Sequence, residues 1–178
     1  NGKFSIPGSS QALDFCPTGS FVSPSNEKAC NLSAPGFFVS ETGANSSSPC
    51  SPGFYQEESG MSYCDESEPG YFVSSPGSSE QTPCPPGTFS PASGATGPET
   101  CQPSSAGHFS PEGSADQEEC PAGHYQPEAG QGACIAADPG HFVSLSGSLK
   151  QESCSPGEFQ SESGSQNCHI ASPGNYVF

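Results

Sequence analysis

Apolar positions in this chain follow neither the period of a helix nor the alternation of a long strand. They recur as aromatic residues at a fixed interval. A Gly-x-Phe/Tyr triplet occurs eleven times, from Gly2-Lys3-Phe4 and Gly19-Ser20-Phe21 through Gly157-Glu158-Phe159 to Gly174-Asn175-Tyr176. Successive triplets lie 17 residues apart, except that Gly87 to Gly107 spans 20 and Gly107 to Gly123 spans 16. A period this strict marks one small supersecondary unit repeated along the chain, each copy burying itself against its neighbours. The pattern predicts a ladder of short strands and turns.

The turn chemistry agrees. Proline precedes the motif glycine at Pro35, Pro52, Pro69, Pro86, Pro139, Pro156 and Pro173. Pro-Gly sets up a type II turn, proline fixing φ and glycine accepting φ > 0. A second glycine follows seven residues later, at Gly43, Gly60, Gly77, Gly94, Gly130, Gly147 and Gly164. Gly8 and Gly113 come one position early, and Asn26 stands where that glycine is missing, so Asn26 is expected in the left-handed region. The longest run free of Gly and Pro is residues 25–34, too short for a stable helix. The motif aromatic, always Phe or Tyr, is read as the buried anchor of each unit, and the variable residue before it as outward-facing.

Successive units alternate in kind, so the full repeat is 34 residues. One kind carries the cysteine pairs Cys16/Cys30, Cys50/Cys64, Cys84/Cys101, Cys120/Cys134 and Cys154/Cys168. The other carries none. It has Ser33, Ser67, Ser104, Ala137 and Ala171 at the place of the first cysteine, and Ser47, Gln81, Gln117 and Gln151 at the place of the second. The joint presence or absence of both cysteines predicts one bond inside each cysteine-bearing unit. The rival pairing, Cys30–Cys50, Cys64–Cys84, Cys101–Cys120 and Cys134–Cys154, leaves Cys16 and Cys168 over. A bond closing a loop of about 15 residues stabilises by ~3 kcal/mol on the chain-entropy account.

Composition alone would suggest disorder, with 22 glycines, 20 prolines, only 30% hydrophobic residues and a net charge of −16. The period and the ten cysteines outweigh it. Ten cysteines without a Cys-x-x-Cys or histidines at ligand spacing read as disulfides, hence an extracellular setting. Three lysines and no arginine leave nothing to contact phosphate, so nucleic acid is not an expected partner. No apolar run approaches the ~20 residues of a membrane span, and no Asp-x-Asp-x-Asp-Gly loop for calcium is present. The acidic surface is read as a self-repelling, solubilising one.

The units Cys50-Ser-Pro-Gly-Phe-Tyr…Gly60…Cys64 and Cys84-Pro-Pro-Gly-Thr-Phe…Gly94…Cys101 resemble the cysteine-rich ephrin-receptor-like repeats, themselves loosely related to tumour-necrosis-factor-receptor modules. The resemblance runs along essentially the whole chain. It implies an elongated, disulfide-stapled ladder in a secreted or cell-surface protein. Every second unit here lacks the cysteines that the family pattern repeats, and function does not follow from such a fold.

His108, His124 and His141 hold the same position in three consecutive units. A column of imidazoles would bind metal or sense pH. Phe37, Phe54 and Tyr71 hold that position earlier, so it is read as one that accepts flat rings, suited to lateral packing or stacking on sugars. Asn31-Leu32-Ser33 and Asn45-Ser46-Ser47 are N-glycosylation sequons. No catalytic constellation is expected, because every polar position is echoed along the array while a nucleophile, its base and an orienting group must be placed once. No cofactor is expected.

The sequence therefore predicts an all-β and irregular, essentially helix-free, elongated array of about 17-residue units paired into about 34-residue repeats. It is read as one continuous array: a partial repeat at 1–15, repeats at 16–49, 50–83, 84–119 and 120–153, and an incomplete repeat at 154–178. The expected role is an extracellular structural rod or filament subunit, non-enzymatic and glycosylated. The alternative is a receptor or adhesin ectodomain that binds a protein or carbohydrate. Tyr176, Val177 and Phe178 form an apolar fragment expected to join Phe4 of a further copy, or the chain is expected to continue in a longer polypeptide.

Overall fold

The computed structural model describes residues 3–4, 14–23 and 26–172. Its elements are ten two-stranded sheets, nearly all from strands of two residues. Among the described residues one 3-10 turn, Pro98–Thr100, is the helical element. It lies where the 20-residue spacing inserts extra chain, and Thr100 Oγ1 donates to the Gly97 carbonyl at 2.8 Å.

The local geometry follows from the turn residues. In the unit starting at Cys50, the Phe54 N–H donates to the Ser51 carbonyl at 2.9 Å across Pro52-Gly53, with Gly53 at φ 87°. This is the type II turn that Pro-Gly favours. Strand Phe54–Tyr55 leaves the turn and pairs antiparallel with Asp65–Glu66, Phe54 opposite Glu66 and Tyr55 opposite Asp65. The same turn and pairing recur at His141–Phe142 with Glu152–Ser153. Each hairpin is one 17-residue unit.

The chain divides into two compact bodies. One comprises Asn1–Thr82 with Ala92–Thr100, and the other Pro83–Pro91 with Cys101–Phe178. Within each, the same set of four backbone hydrogen bonds recurs between successive units. In the first body Gly19 N–H donates to Val39, Val22 to Ala44, Gly43 back to Cys16 and Ser33 to Gly19, at 2.8–3.0 Å. In the second body Gly123 donates to Val143, Gln126 to Ser148, Gly147 to Cys120 and Ala137 to Gly123, at 2.7–3.0 Å. These four bonds are backbone to backbone, and only the buried serines add to them, Ser33, Ser67 and Ser104 each donating Oγ to a carbonyl of the next unit at 3.2–3.4 Å, so units of very different surface join in one way.

Units two apart also touch, turn against turn. A Cβ placed on Gly53 would lie 2.5 Å from the Gly94 carbonyl oxygen, and one on Gly107 would lie 2.4 Å from that of Gly147. Hydrogen bonds to the next unit and glycine contacts to the one after are the connectivity of a coil with two units per turn. One turn is therefore the 34-residue repeat.

The core is narrow and differs from the expected one. It consists of the first cysteine (Cys16, Cys50, Cys84, Cys120) and the small residues aligned with it (Ser33, Ser67, Ser104, Ala137), all 0% exposed. The third residue after the motif glycine completes it: Val22, Val39, Gln56, Val73, Ser90, Ser110, Gln126 and Val143. The motif aromatics are half-buried rather than anchors, as at Phe38, Tyr55, Phe72 and Phe142, and so are their neighbours Phe37, Phe54, Tyr71 and His141. Backbones that approach within one hydrogen bond on both sides leave room for small or unbranched side chains but not for rings, so the rings lie along the hairpin flanks. Asn26 is a second correction. It opens strand Asn26–Leu32, paired with Ser23, and no described non-glycine residue has positive φ. The longer pairing with Ser20–Ser23 holds it extended.

Candidate functional site

The feature that repeats with most chemical content is the closure of each hairpin. In the cysteine-bearing units the closure is covalent: Cys16–Cys30, Cys50–Cys64, Cys84–Cys101, Cys120–Cys134 and Cys154–Cys168, with Cα atoms 5.6–5.9 Å apart. Cys64, Cys101, Cys134 and Cys168 directly precede the return strand and Cys30 lies within it, so the bond ties the start of the turn to the return.

In three of the cysteine-free units a glutamine makes the same closure without a covalent bond, and in the unit of Gly36 the place is held by Ser47. Gln81 Oε1 accepts the Glu68 N–H at 2.8 Å, Gln117 that of Ser105 at 2.6 Å and Gln151 that of Asp138 at 2.7 Å. Each accepting side chain stands at the place of the second cysteine, and each donor directly follows the place of the first. Gln151 Nε2 returns a bond to Asp138 Oδ2 at 2.8 Å, and Gln81 Nε2 one to Glu68 Oε2 at 3.3 Å. Sequence reading noted these glutamines only as replacements for cysteine. The signal was present in their alignment, but what they bond is a backbone group that no residue pattern displays.

A second set of glutamines ties down the loop of the stapled units. Gln56 Nε2 donates to the Tyr63 carbonyl at 3.1 Å and Asp65 Oδ2 at 3.3 Å, while its Oε1 accepts the Glu58 N–H at 3.0 Å. Gln126 and Gln160 repeat this with Ala133 and Glu128, and with Asn167 and Glu162. Gln56 and Gln126 are at most 4% exposed, so these bonds satisfy polar groups that burial would otherwise penalise.

Beside the staple at Cys64, a groove of about 320 Å³ is lined by Phe38, Ser51, Phe54, Ser62, Tyr63 and Cys64. Its rings do not recur, since Ala133 and Asn167 hold the place of Tyr63 in later units. On the other flank of the same hairpin, burial together with Glu57, Glu68 and Asp65 raises the pKa of the Tyr55 hydroxyl. The histidines do not gather. The two-unit register puts His108 and His141 in like positions and His124 in the unit between. His108 Nδ1 lies 3.3 Å from the Ala106 carbonyl oxygen and His141 Nδ1 3.3 Å from that of Pro139. Among the described residues no three His, Cys, Asp or Glu side chains come together as metal ligands.

The two sequons occupy different structure. Asn31 sits in strand Asn26–Leu32 opposite Phe21, with its Nδ2 enclosed. Asn45 is exposed in a bend. Tyr176, Val177 and Phe178 lie outside the described residues, as does the side chain of Phe4, whose backbone pairs with Asp14.

The alternating staples bear on kinship. Residues 107–154, from the motif glycine Gly107 through three hairpins to Cys154, match the family model described as tyrosine-protein kinase ephrin type A/B receptor-like. The chain resembles the cysteine-rich repeats of ephrin receptors. A search of curated proteins returned no match. Five disulfides, a chemistry of oxidising compartments, and this match together mark an extracellular, receptor-type module. Among the described residues no helix is long and apolar enough to cross a membrane.

Proposed function

We propose that this chain is a non-enzymatic structural spacer of the extracellular space, a rod or filament segment that lengthens by adding repeats end to end. The observation that carries this reading is the recurring backbone join between successive units, the same in both bodies. A join built mainly from backbone groups, with a small buried residue beside it, extends indefinitely, and a further unit comes equally well from the same chain or from a second copy. Arrays of this type are sums of units and nearest-neighbour joins. Their dimensions then scale with repeat number.

The test is a length series measured by small-angle X-ray scattering. Deleting 50–83, one full repeat, shortens a spacer by the length of one turn and leaves the cross-section unchanged. A maximum dimension that does not change, with a smaller cross-section, overturns the spacer reading. Light scattering against concentration then separates a filament subunit, whose mass grows, from a segment that stays monomeric. The aromatic groove of Phe38, Phe54 and Tyr63 favours a second reading, a receptor or adhesin ectodomain with a ligand at that point. Loss of binding to a glycan or peptide array on replacing Tyr63 would support it.

A further inference from the structure

We propose that Asn45 carries an N-linked glycan in the folded, secreted chain and that Asn31 does not, although both stand in Asn-x-Ser sequons. The inference adds a modification to the spacer reading and shares with it only the extracellular setting.

The acceptor atom is Nδ2 of asparagine. In the transfer, Nδ2 gives up one proton to a base of the transferase and bonds to the anomeric carbon of N-acetylglucosamine. The bond from that carbon to a polyprenyl diphosphate breaks, and the lipid diphosphate leaves with the electron pair. A large, hydrated sugar then stays attached to Nδ2. That atom needs open space in the final fold, whatever the order of transfer and folding.

Asn31 fails this requirement. Its Nδ2 is enclosed and hydrogen-bonds to nothing. Its backbone is locked opposite Phe21 in the hairpin, and it directly follows Cys30, whose bond to Cys16 closes that hairpin. The sequon's hydroxyl is also engaged, since Ser33 is 0% exposed and its Oγ donates to the Met61 carbonyl at 3.3 Å. A chain glycosylated at Asn31 cannot close the hairpin of Ser20–Ser23 with Asn26–Leu32.

Asn45 meets the requirement. It follows the second glycine of its unit, Gly43, in an irregular bend, and both Asn45 and Ser46 are exposed. Its unit carries no cysteine, so disulfide closure does not compete for the segment. An exposed bend is also the backbone that glycosylation of Asn-x-Ser/Thr selects.

The test is expression with a secretory leader in eukaryotic cells, followed by glycopeptide mass spectrometry and peptide-N-glycosidase treatment of the secreted, oxidised protein. One glycan is expected, at Asn45, and Asn45→Gln abolishes the shift on enzyme treatment. Ser33→Ala removes the first sequon with a residue the array itself uses at Ala137 and Ala171, and it leaves the shift unchanged. A glycan on Asn31 of secreted protein, or a secreted wild-type chain bare at Asn45, overturns the proposal. Disulfide formation and scattering dimensions in the same samples report on the spacer reading separately, so the two fail independently.

Discussion

Replacing Gly107 by alanine tests the two-unit stacking, with Gly140 as a matched control. Both are motif glycines of cysteine-free units, at φ 82° and 80°. Both bond in the same way, Gly107 N–H to Gln126 and Gly140 N–H to Gln160, while their carbonyls accept from Cys120 and Cys154. They differ in what a Cβ would meet. At Gly107 it would lie 2.4 Å from the Gly147 carbonyl oxygen and 3.1 Å from its carbon, whereas at Gly140 no atom of the described residues lies within 4 Å. Positive φ alone costs an L-residue ~1–2 kcal/mol, which is the whole effect expected of Gly140→Ala. The obstacle at Gly107 is backbone, itself anchored by the Gly147 N–H to Cys120 at 2.8 Å, so no side chain can swing away. Forcing a methyl into such a contact costs ~1–3 kcal/mol more. Gly107→Ala should therefore lose ~2–5 kcal/mol against ~1–2 for Gly140→Ala. Urea unfolding of the oxidised protein, followed by amide exchange in the neighbouring units, measures both. Equal losses would refute the coil with two units per turn.

Three further outcomes follow from the staples and the flanks. Gln151→Ala removes an acceptor from the Asp138 N–H and should cost ~1 kcal/mol, whereas Ala137→Cys with Gln151→Cys should form a sixth disulfide on oxidation, read by non-reducing peptide mapping together with the five native bonds. A pair that stays reduced would mean that the glutamine units are not closed as the cysteine units are. Phe72→Ala and Tyr71→Ala should cost similar amounts, ~1–3 kcal/mol each, because both rings are half-buried and the full ~3–5 belongs to buried rings; a loss confined to Phe72 would restore an inward anchor. Tyr55 has a raised pKa from burial first and then Glu57, Glu68 and Asp65. Its neutral form is therefore favoured by the fold: that stability is complete below the unfolded tyrosine pKa of ~10 and is lost as pH rises through the higher folded value. Tyr55→Phe should flatten the alkaline fall in stability, and an unchanged fall would show that Tyr55 does not contribute.

Much of the fold was legible because its determinants are backbone requirements that only a few residues meet. Gly53 and Gly60 announce positive φ, Pro52 announces the turn, and the co-occurrence of Cys50 and Cys64 announces a staple. The core was not legible, because Ser33, Ser104 and Ser110 carry no hydrophobic signal. They are buried because neighbouring backbones close over these positions, which hold nothing larger than Val or an extended Gln, while the conspicuous rings of Phe38 and Phe72 lie on the flanks. Asn26 was misread for a related reason: its local preference gave way to pairing with Ser23, a partner that spacing does not reveal. Both sequons were visible, but the enclosure of Asn31 depends on a strand partner, Phe21, that only the fold brings to it.

The central claim is that units are joined backbone to backbone, alike in stapled and unstapled units. Native-state amide exchange of the motif glycines measures this directly. Gly53 and Gly123, in cysteine units, bond to Val73 and Val143, and Gly36, Gly107 and Gly140, in cysteine-free units, bond to Gln56, Gln126 and Gln160, all at 2.7–2.8 Å. The account predicts comparable slow exchange at all five. Slow exchange at Gly53 and Gly123 with fast exchange at Gly36, Gly107 and Gly140 would contradict it, leaving isolated stapled loops on a flexible chain.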